Sequence, residues 1–151
     1  CGTGLMAEKI HPYCRTLIGV DLSAKMIEQA EKKGIYSTCI QEDIVAFCEQ
    51  TDKRFDLITA ADVFPYYGNL AIVLSALHRV LRPGGTLIYS VETHTEKAPY
   101  RLNTNGRFQH HQDYAISSAS DAGYQIIATD TTSTRHEGPI AIDCHTLLLQ
   151  K

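Results

Sequence analysis

No run of about 18 apolar residues occurs in the 151-residue chain, so no membrane-spanning helix is expected. An excess of one charge is also missing. Fourteen lysines and arginines face 17 aspartates and glutamates, for a formal net charge of -3. That balance offers no bulk attraction to a polyanion and argues against a nucleic-acid partner. The five cysteines (Cys1, Cys14, Cys39, Cys48 and Cys144) contain no C-x-x-C pair, and their number is odd. They read as reduced, mostly buried thiols of a cytoplasmic protein with no metal site. The chain has no initiator Met, and no strand precedes the glycine turn that opens it. Internal repeats, low-complexity segments and linkers are absent as well, which leaves a single domain over residues 1–151.

What is present is a 44% hydrophobic sequence, enough for one core, in which short apolar runs alternate with segments of helical period. "TLIGV" (Thr16 to Val20) reads as a buried strand. Ser23 is placed to cap the helix "SAKMIEQAEKKG", and Gly34 to end it. "YSTCI" is a second strand, with a helix over Ile44 to Glu49 behind it, and "FDLITA" (Phe55 to Ala60) is a third strand. In "NLAIVLSALHRVLRPGG", Leu70, Val73, Leu74, Leu77, Val80 and Leu81 fall on one helical face. Pro83, Gly84 and Gly85 stop that helix, and "TLIYSV" is a fourth strand. Glu92 to Gln112 is polar, carries three histidines and lacks a period, so it reads as a surface loop or lid. "DYAISSASDAGY" is a helix ended by Gly123. "YQIIATDTTST" and "DCHTLLLQ" are two closing strands joined by a turn containing Gly138-Pro139. The alternation implies an α/β fold, a Rossmann-like, mostly parallel sheet with helices on both faces and an antiparallel C-terminal strand pair.

The chemistry gathers at the strand ends. Gly2-x-Gly4-x-x-Ala7 leaves bare backbone where a ligand can approach closely. Asp21 follows "LIGV" directly, 17 residues after Gly4, where an acid can accept hydrogen bonds from both hydroxyls of a ribose. Asp43 stands in the same sense after the next strand, in "QEDI". Ligands of open α/β sheets bind outside the carboxyl ends of the strands, so Gly2, Gly4, Asp21, Asp43 and the "TAAD" end of the third strand are expected to meet there. Two acids without a phosphate-binding lysine or arginine nearby favour a nucleoside that carries no phosphate.

With these stretches the sequence resembles the class I S-adenosylmethionine-dependent methyltransferases: "CGTG" as the glycine loop, "GVDLSAKMIEQA" around the ribose acid, "EDI" as the adenine-side acid, then "FDLITAADVF" and "LRPGGTLIYSVE". The resemblance covers Cys1 to Glu92. "NGRFQHHQDYAISSASDAGY" is similar to bacterial methyltransferases associated with tetratricopeptide repeats. The resemblance implies S-adenosylmethionine as cofactor and S-adenosylhomocysteine as product. Gly2 and Gly4 backbone would approach the methionine portion, Asp21 would take the ribose hydroxyls, and Leu22 and Met26 would pack near the adenosine. Asp43 would accept from the adenine amine, Ile44 backbone would meet the ring, and Ala60 and Ala61 backbone would lie beside the amino-acid end. The family's strand before the glycine loop is absent, so the sequence reads as trimmed at its N-terminus.

Methyl transfer requires an acceptor aligned with the S–CH3 bond and shielded from water, and a base only if the acceptor arrives protonated. "ADVFPYYG" and the lid supply candidates for contact with a small polar acceptor: Asp62, Phe64, Tyr66, Tyr67, Arg101, His110 and His111. Adjacent His110 and His111 do not share a face and make a poor metal pair, and Arg101 and Arg107 read first as solvated charges. The glycine turn also satisfies the dinucleotide fingerprint of a nicotinamide-dependent dehydrogenase. Against that stand the second acid, the "LRPGG" junction and the antiparallel end. A non-catalytic scaffold of the same fold is the third reading, which the intact glycines and acids oppose.

Overall fold

The computed structural model describes residues 1–137 and 140–151, and side-chain surroundings for all of these except 133–137, 140 and 141. It divides into two compact units, residues 1–51 and residues 52–151. The turn expected at Gly138-Pro139 lies outside the described residues.

The first unit runs α1 (Leu5–Ile10), a 3-10 turn (His11–Tyr13), β1 (Ile18–Asp21), α2 (Ala24–Glu31), β2 (Thr38–Gln41) and α3 (Ile44–Gln50). β1 and β2 pair in parallel, from Ile18 opposite Thr38 to Asp21 opposite Gln41. Each strand ends in an aspartate or passes into one, and a helix follows at once. Ile27 and Ala30 form the buried face of α2, and Phe47 and Cys48 that of α3. Ser23 occupies the N-cap of α2 but its side chain caps nothing. The local turn is made instead by Asp21, whose Oδ1 accepts from the Ser23 N–H at 2.9 Å. The carboxylate two residues upstream closes the turn, and the Ser23 carbonyl accepts from the Met26 and Ile27 N–H groups.

The second unit contains β3 (Phe55–Ala60), a 3-10 turn (Phe64–Tyr66), α4 (Leu70–Val80), β4 (Leu81–Thr93), β5 (Tyr100–Leu102), β6 (Phe108–His110), α5 (Gln112–Asp121), β7 (Gln125–Glu137) and β8 (Ile140–Gln150). β3 is parallel to β4, while β8 is antiparallel to both β4 and β7, which is the closing pair expected from the sequence. α4 is capped by Asn69, whose Oδ1 accepts from the Ala71 N–H at 3.0 Å. It buries Leu70, Val73, Leu74, Leu77 and Val80 on one face. The helix stops at Val80, before Pro83, because Leu81 already has extended backbone and pairs with Phe55. "LRPGG" therefore belongs to the start of β4, where the pairing with β3 shifts register between Phe55 and Leu57.

The segment from Glu92 to Gln112 is not a loose surface loop. It contains the antiparallel pair β5–β6, and β6 adds in parallel to the end of β4 at Glu92 and Thr93. Glu92, His94, Arg107, Gln109 and His110 are all buried. β8 occupies one edge of β4 from Thr86 to Glu92, so β3 and β6 must share the other. β3 takes that edge up to Tyr89, and β6 takes it from Glu92 onward. The hairpin thus continues the lane of β3 beyond its carboxyl end.

Closure of the hairpin needs Gly68. A Cβ there would stand 2.8 Å from Phe108 Cε1 and 2.9 Å from Tyr100 Cε2. Gly68→Ala is expected to force one of these rings aside and lower stability by about 1–3 kcal/mol, measured by urea denaturation. Leu74→Ala, in the fully buried face of α4, should cost about 2–5 kcal/mol in the same assay.

Candidate functional site

In residues 1–51 the glycine turn and the first strand end are joined directly. Gly2 has φ 55° and Gly4 has φ 85°, both in the left-handed region that glycine enters without penalty. The Gly2 N–H donates to Asp21 Oδ2 at 2.8 Å, and the Cys1 amino group donates to the same oxygen at 3.2 Å and to the Val20 carbonyl at 2.6 Å. A Cβ added at Gly2 would meet nothing within 4 Å, so backbone there borders open space. At Gly4 it would strike Lys33 Cδ at 2.8 Å. The nearby Lys33 ammonium is paired with Glu8 and is thereby neutralised.

Asp21 is 21% exposed at its side chain. Burial acts to raise its pKa, but hydrogen bonds, led by those from the Ser23 and Gly2 N–H groups, hold the carboxyl below the ordinary aspartate range. Three N–H donors occupy three of the roughly four lone-pair positions of a carboxylate. Room is left for one further donor, where the sequence suggested two ribose hydroxyls. Beside it Leu22 is 71% exposed and Met26 is also exposed, an apolar surface next to a fixed negative charge.

Asp43 follows β2 and caps α3, with Oδ1 accepting from the Val45 N–H at 2.8 Å and the Ala46 N–H at 3.1 Å. Ile44 is the first residue of α3. Asp43 is therefore the N-cap of α3, a role that uses Oδ1 of the carboxylate.

In residues 52–151, Ala60 ends β3 buried and Ala61 is exposed. Asp62 has φ 61°, the one non-glycine residue with positive φ among those described. Its amide donates to Ser90 Oγ at 3.3 Å, and its Oδ1 accepts from the Nη2 of Arg107. Arg107 also donates from Nε to Glu92 Oε1 at 2.7 Å and from Nη1 to the Tyr66 hydroxyl at 3.2 Å, with its guanidinium 5.2 Å from the Tyr66 ring centre. Arg107 and Glu92 are 8% and 2% exposed at their side chains. Burial alone would lower the guanidinium pKa; the bonds to Asp62 and Glu92 reverse that and raise it. Removing one partner of such a buried pair typically costs about 3–5 kcal/mol.

Two residues expected to face an acceptor do not. Phe64 is fully buried and stacks on Tyr89 with ring centres 4.1 Å apart. His110 is fully buried, with Nε2 2.8 Å from the Tyr67 carbonyl and 3.3 Å from that of Gly68. Phe64 in the 3-10 turn and His110 at the end of β6 are both absorbed by the core that the hairpin closes. Arg101 is held by Gln109 Oε1 at 2.8 and 2.9 Å and by Glu96, and His111 caps α5 by accepting from the Asp113 N–H at 3.2 Å. Tyr66 is exposed and Tyr67 half-buried. Glu92 was not among the sequence candidates, and Arg107, read first as a solvated charge with a carboxylate clamp as the alternative, is buried and binds two carboxylates. The signal that could have found them is Asn105-Gly106, a hairpin turn dipeptide between "YRL" and "FQH". Among the described residues, no group of histidine, cysteine, aspartate or glutamate side chains is arranged to hold a metal.

A family described as a methyltransferase domain matches residues 1–89. Over 100 residues the chain is 37% identical to an uncharacterized protein of Haemophilus influenzae, which covers 61% of this chain and 39% of that protein. It is 24% identical over 102 residues to the ubiquinone biosynthesis O-methyltransferase of Serratia proteamaculans, covering 65% of this chain and 42% of the relative. The chain thus spans about two fifths of the length of these curated relatives. Its fold matches the magnesium protoporphyrin IX methyltransferase of Synechocystis PCC 6803 with bound SAM, with a TM-score of 0.75 and 21% identity over all of this chain and 66% of that one.

The buried histidines of the second unit set a pH dependence. Burial is the first cause that lowers the pKa of His94, His110 and His145. His110 Nε2 faces two carbonyls and so carries the proton, which leaves buried Nδ1 as the site that must be charged. The unfolded chain takes up protons first as pH falls below about 6.5, so stability is complete above that value and declines below it as pH drops through the lowered folded values. Thermal melts between pH 7.5 and 5 should show this decline, with a slope of up to about 1.4 kcal/mol per pH unit for each titrating histidine. His110→Asn should reduce the slope.

Proposed function

The chain belongs to the methyltransferase domain family, and from that membership we propose that it transfers a methyl group from S-adenosylmethionine to a small-molecule acceptor. The observation that carries the reading is the Asp21 carboxylate, aimed by the Gly2 and Ser23 N–H groups and bordered by exposed Leu22 and Met26. An acid beside apolar surface, with the neighbouring lysine already paired, suits a nucleoside that brings hydroxyls and no phosphate. The same features disfavour a nicotinamide dinucleotide, whose pyrophosphate would need positive charge or open amides at the turn.

In residues 1–51, Asp21 accepts one ribose hydroxyl without rearrangement, and a second if the Cys1 nitrogen gives up its place. Leu22 and Met26 flank the adenosine, Asp43 accepts from the adenine amine, and Ile44 backbone meets the ring. Gly2 and Gly4 backbone approaches the methionine portion. In residues 52–151, Ala60 and Ala61 backbone takes the amino-acid end, and Tyr66, Tyr67, Arg101 and His111 are the acceptor-side candidates. S-adenosylmethionine, when bound, supplies a methyl group already activated on a positively charged sulfur. The task of these side chains is then to bind, align and exclude water, which requires no base where the acceptor arrives unprotonated.

The acceptor is an O, N or C nucleophile. Relatives named for ubiquinone biosynthesis and for magnesium protoporphyrin IX support a small molecule. "NGRFQHHQDYAISSASDAGY" supports placement beside the methyltransferases associated with tetratricopeptide repeats. The second edge of β1 carries no strand among the described residues, and at its end the Cys1 nitrogen bonds the Val20 carbonyl. We assign that edge to a further strand from outside the 151 residues. Free cysteines, and the lack of a membrane-length helix among the described residues, support a cytoplasmic location.

Isothermal titration tests the reading. S-adenosylhomocysteine should bind and nicotinamide adenine dinucleotide should not. Asp21→Ala should weaken S-adenosylhomocysteine by roughly 1.5–3 kcal/mol, because a charged acceptor is lost. Tight dinucleotide binding, or unchanged affinity in the variant, overturns the proposal.

A further inference from the structure

We infer that Arg107 is a positioning residue for the transfer site: it holds Asp62 in a left-handed turn and so fixes the Ala60–Ala61 backbone that precedes it. The inference rests on the proposed function, which assigns that backbone to the cofactor's amino-acid end.

Glu92 already neutralises the guanidinium in the buried interior, through Nε. The bond to Asp62 adds a second carboxylate to a guanidinium that already has one. Asp62 is 65% exposed at its side chain, so water meets much of its charge and it does not itself need the arginine. Yet Asp62 holds φ 61°, a conformation that costs a residue with a Cβ and persists only where surrounding groups impose it. Two groups do so here. Ser90 Oγ accepts from its amide, and Arg107 binds its carboxylate. A link from an already paired guanidinium to an exposed carboxylate in a strained turn serves the geometry of that turn.

The placement of Arg107 fits that role. It precedes β6, and β6 lies along β4 directly beyond the carboxyl end of β3. Its backbone is itself fixed, with its N–H donating to Asn105 Oδ1 at 3.0 Å and its carbonyl accepting from the Asn103 N–H at 2.8 Å. From this rigid turn the planar fork reaches the end of β4 through Glu92, the turn after β3 through Asp62, and the 3-10 turn through Tyr66. A lysine offers one point of attachment and cannot hold all three.

The test measures S-adenosylhomocysteine affinity by isothermal titration, together with amide exchange at Ala61 and Asp62. Arg107→Lys and Asp62→Ala should each weaken binding about tenfold and speed exchange, since a Cβ-bearing residue then leaves the left-handed region. Asp62→Gly should bind like the wild type, because glycine adopts φ 61° without a clamp. Adding Asp62→Gly to Arg107→Lys should restore affinity. If Arg107→Lys fails to fold, the comparison of Asp62→Ala with Asp62→Gly decides, as both leave the Arg107–Glu92 pair intact. Equal weakening in the alanine and glycine variants, or wild-type affinity in Arg107→Lys, overturns the inference alone. A wild-type protein that does not bind S-adenosylhomocysteine overturns the proposed function and this inference with it.

Discussion

A β-strand has two edges, and the second unit is organised by how β4 spends them. One edge goes to β8, antiparallel, from Thr86 to Glu92. The other is divided between β3, which runs alongside to Tyr89, and β6, which joins at Glu92. This division brings a short polar hairpin to the carboxyl end of a parallel strand, where a side chain from a distant part of the sequence can reach the residues that follow β3. Arg107 does so. Its bonds to Glu92, Tyr66 and Asp62 exist because β6 continues a lane that β3 vacates.

Each strand-to-helix junction of the first unit carries a carboxylate that serves the backbone beyond it. Asp21 accepts from the amide two residues on, and Asp43 does the same. Such local bonds explain why an aspartate stands at each strand-to-helix junction even without a ligand. They also lock the side chain, so that a ligand meeting it finds an acceptor already oriented. Capping and the proposed recognition draw on one arrangement. The donors that orient Asp21 also fill most of its lone pairs, which restricts what it can still accept.

The parts of the fold that were legible in the sequence are those in which periodicity and burial agree. β3 spans Phe55–Ala60 as read, and α4 buries the face that its leucines and valines mark. The closing antiparallel pair follows from two β-rich runs. What stayed hidden was the region from Glu92 to Gln112, because its burial is polar. Glu92, Arg107, Gln109 and His110 read as solvent-facing by residue type and are enclosed by bonding to one another, to backbone or to neighbouring side chains. Strands of three residues are also too short to display an alternation. At the candidate site, spacing marked Gly2, Gly4, Asp21 and Asp43, whereas Arg107 depends on a tertiary lane whose one local sign is the Asn105-Gly106 turn.

β6 pairs with β4 at Glu92 and Thr93, the His94 N–H just beyond donates to the His110 carbonyl, and side chains supply much of the remaining attachment. Tyr100 and Phe108 close over Gly68, His110 lies 9° from parallel with Tyr114, and the Tyr114 hydroxyl accepts from the Leu70 N–H at 3.1 Å. An element fastened by so few rungs is a replaceable cassette. Residues 103–106 at its tip can lengthen or change over evolutionary time without altering the register of β3 or β8. The hairpin is therefore the part of this unit through which a lineage could retune what the strand ends accept while the sheet beneath is inherited unchanged.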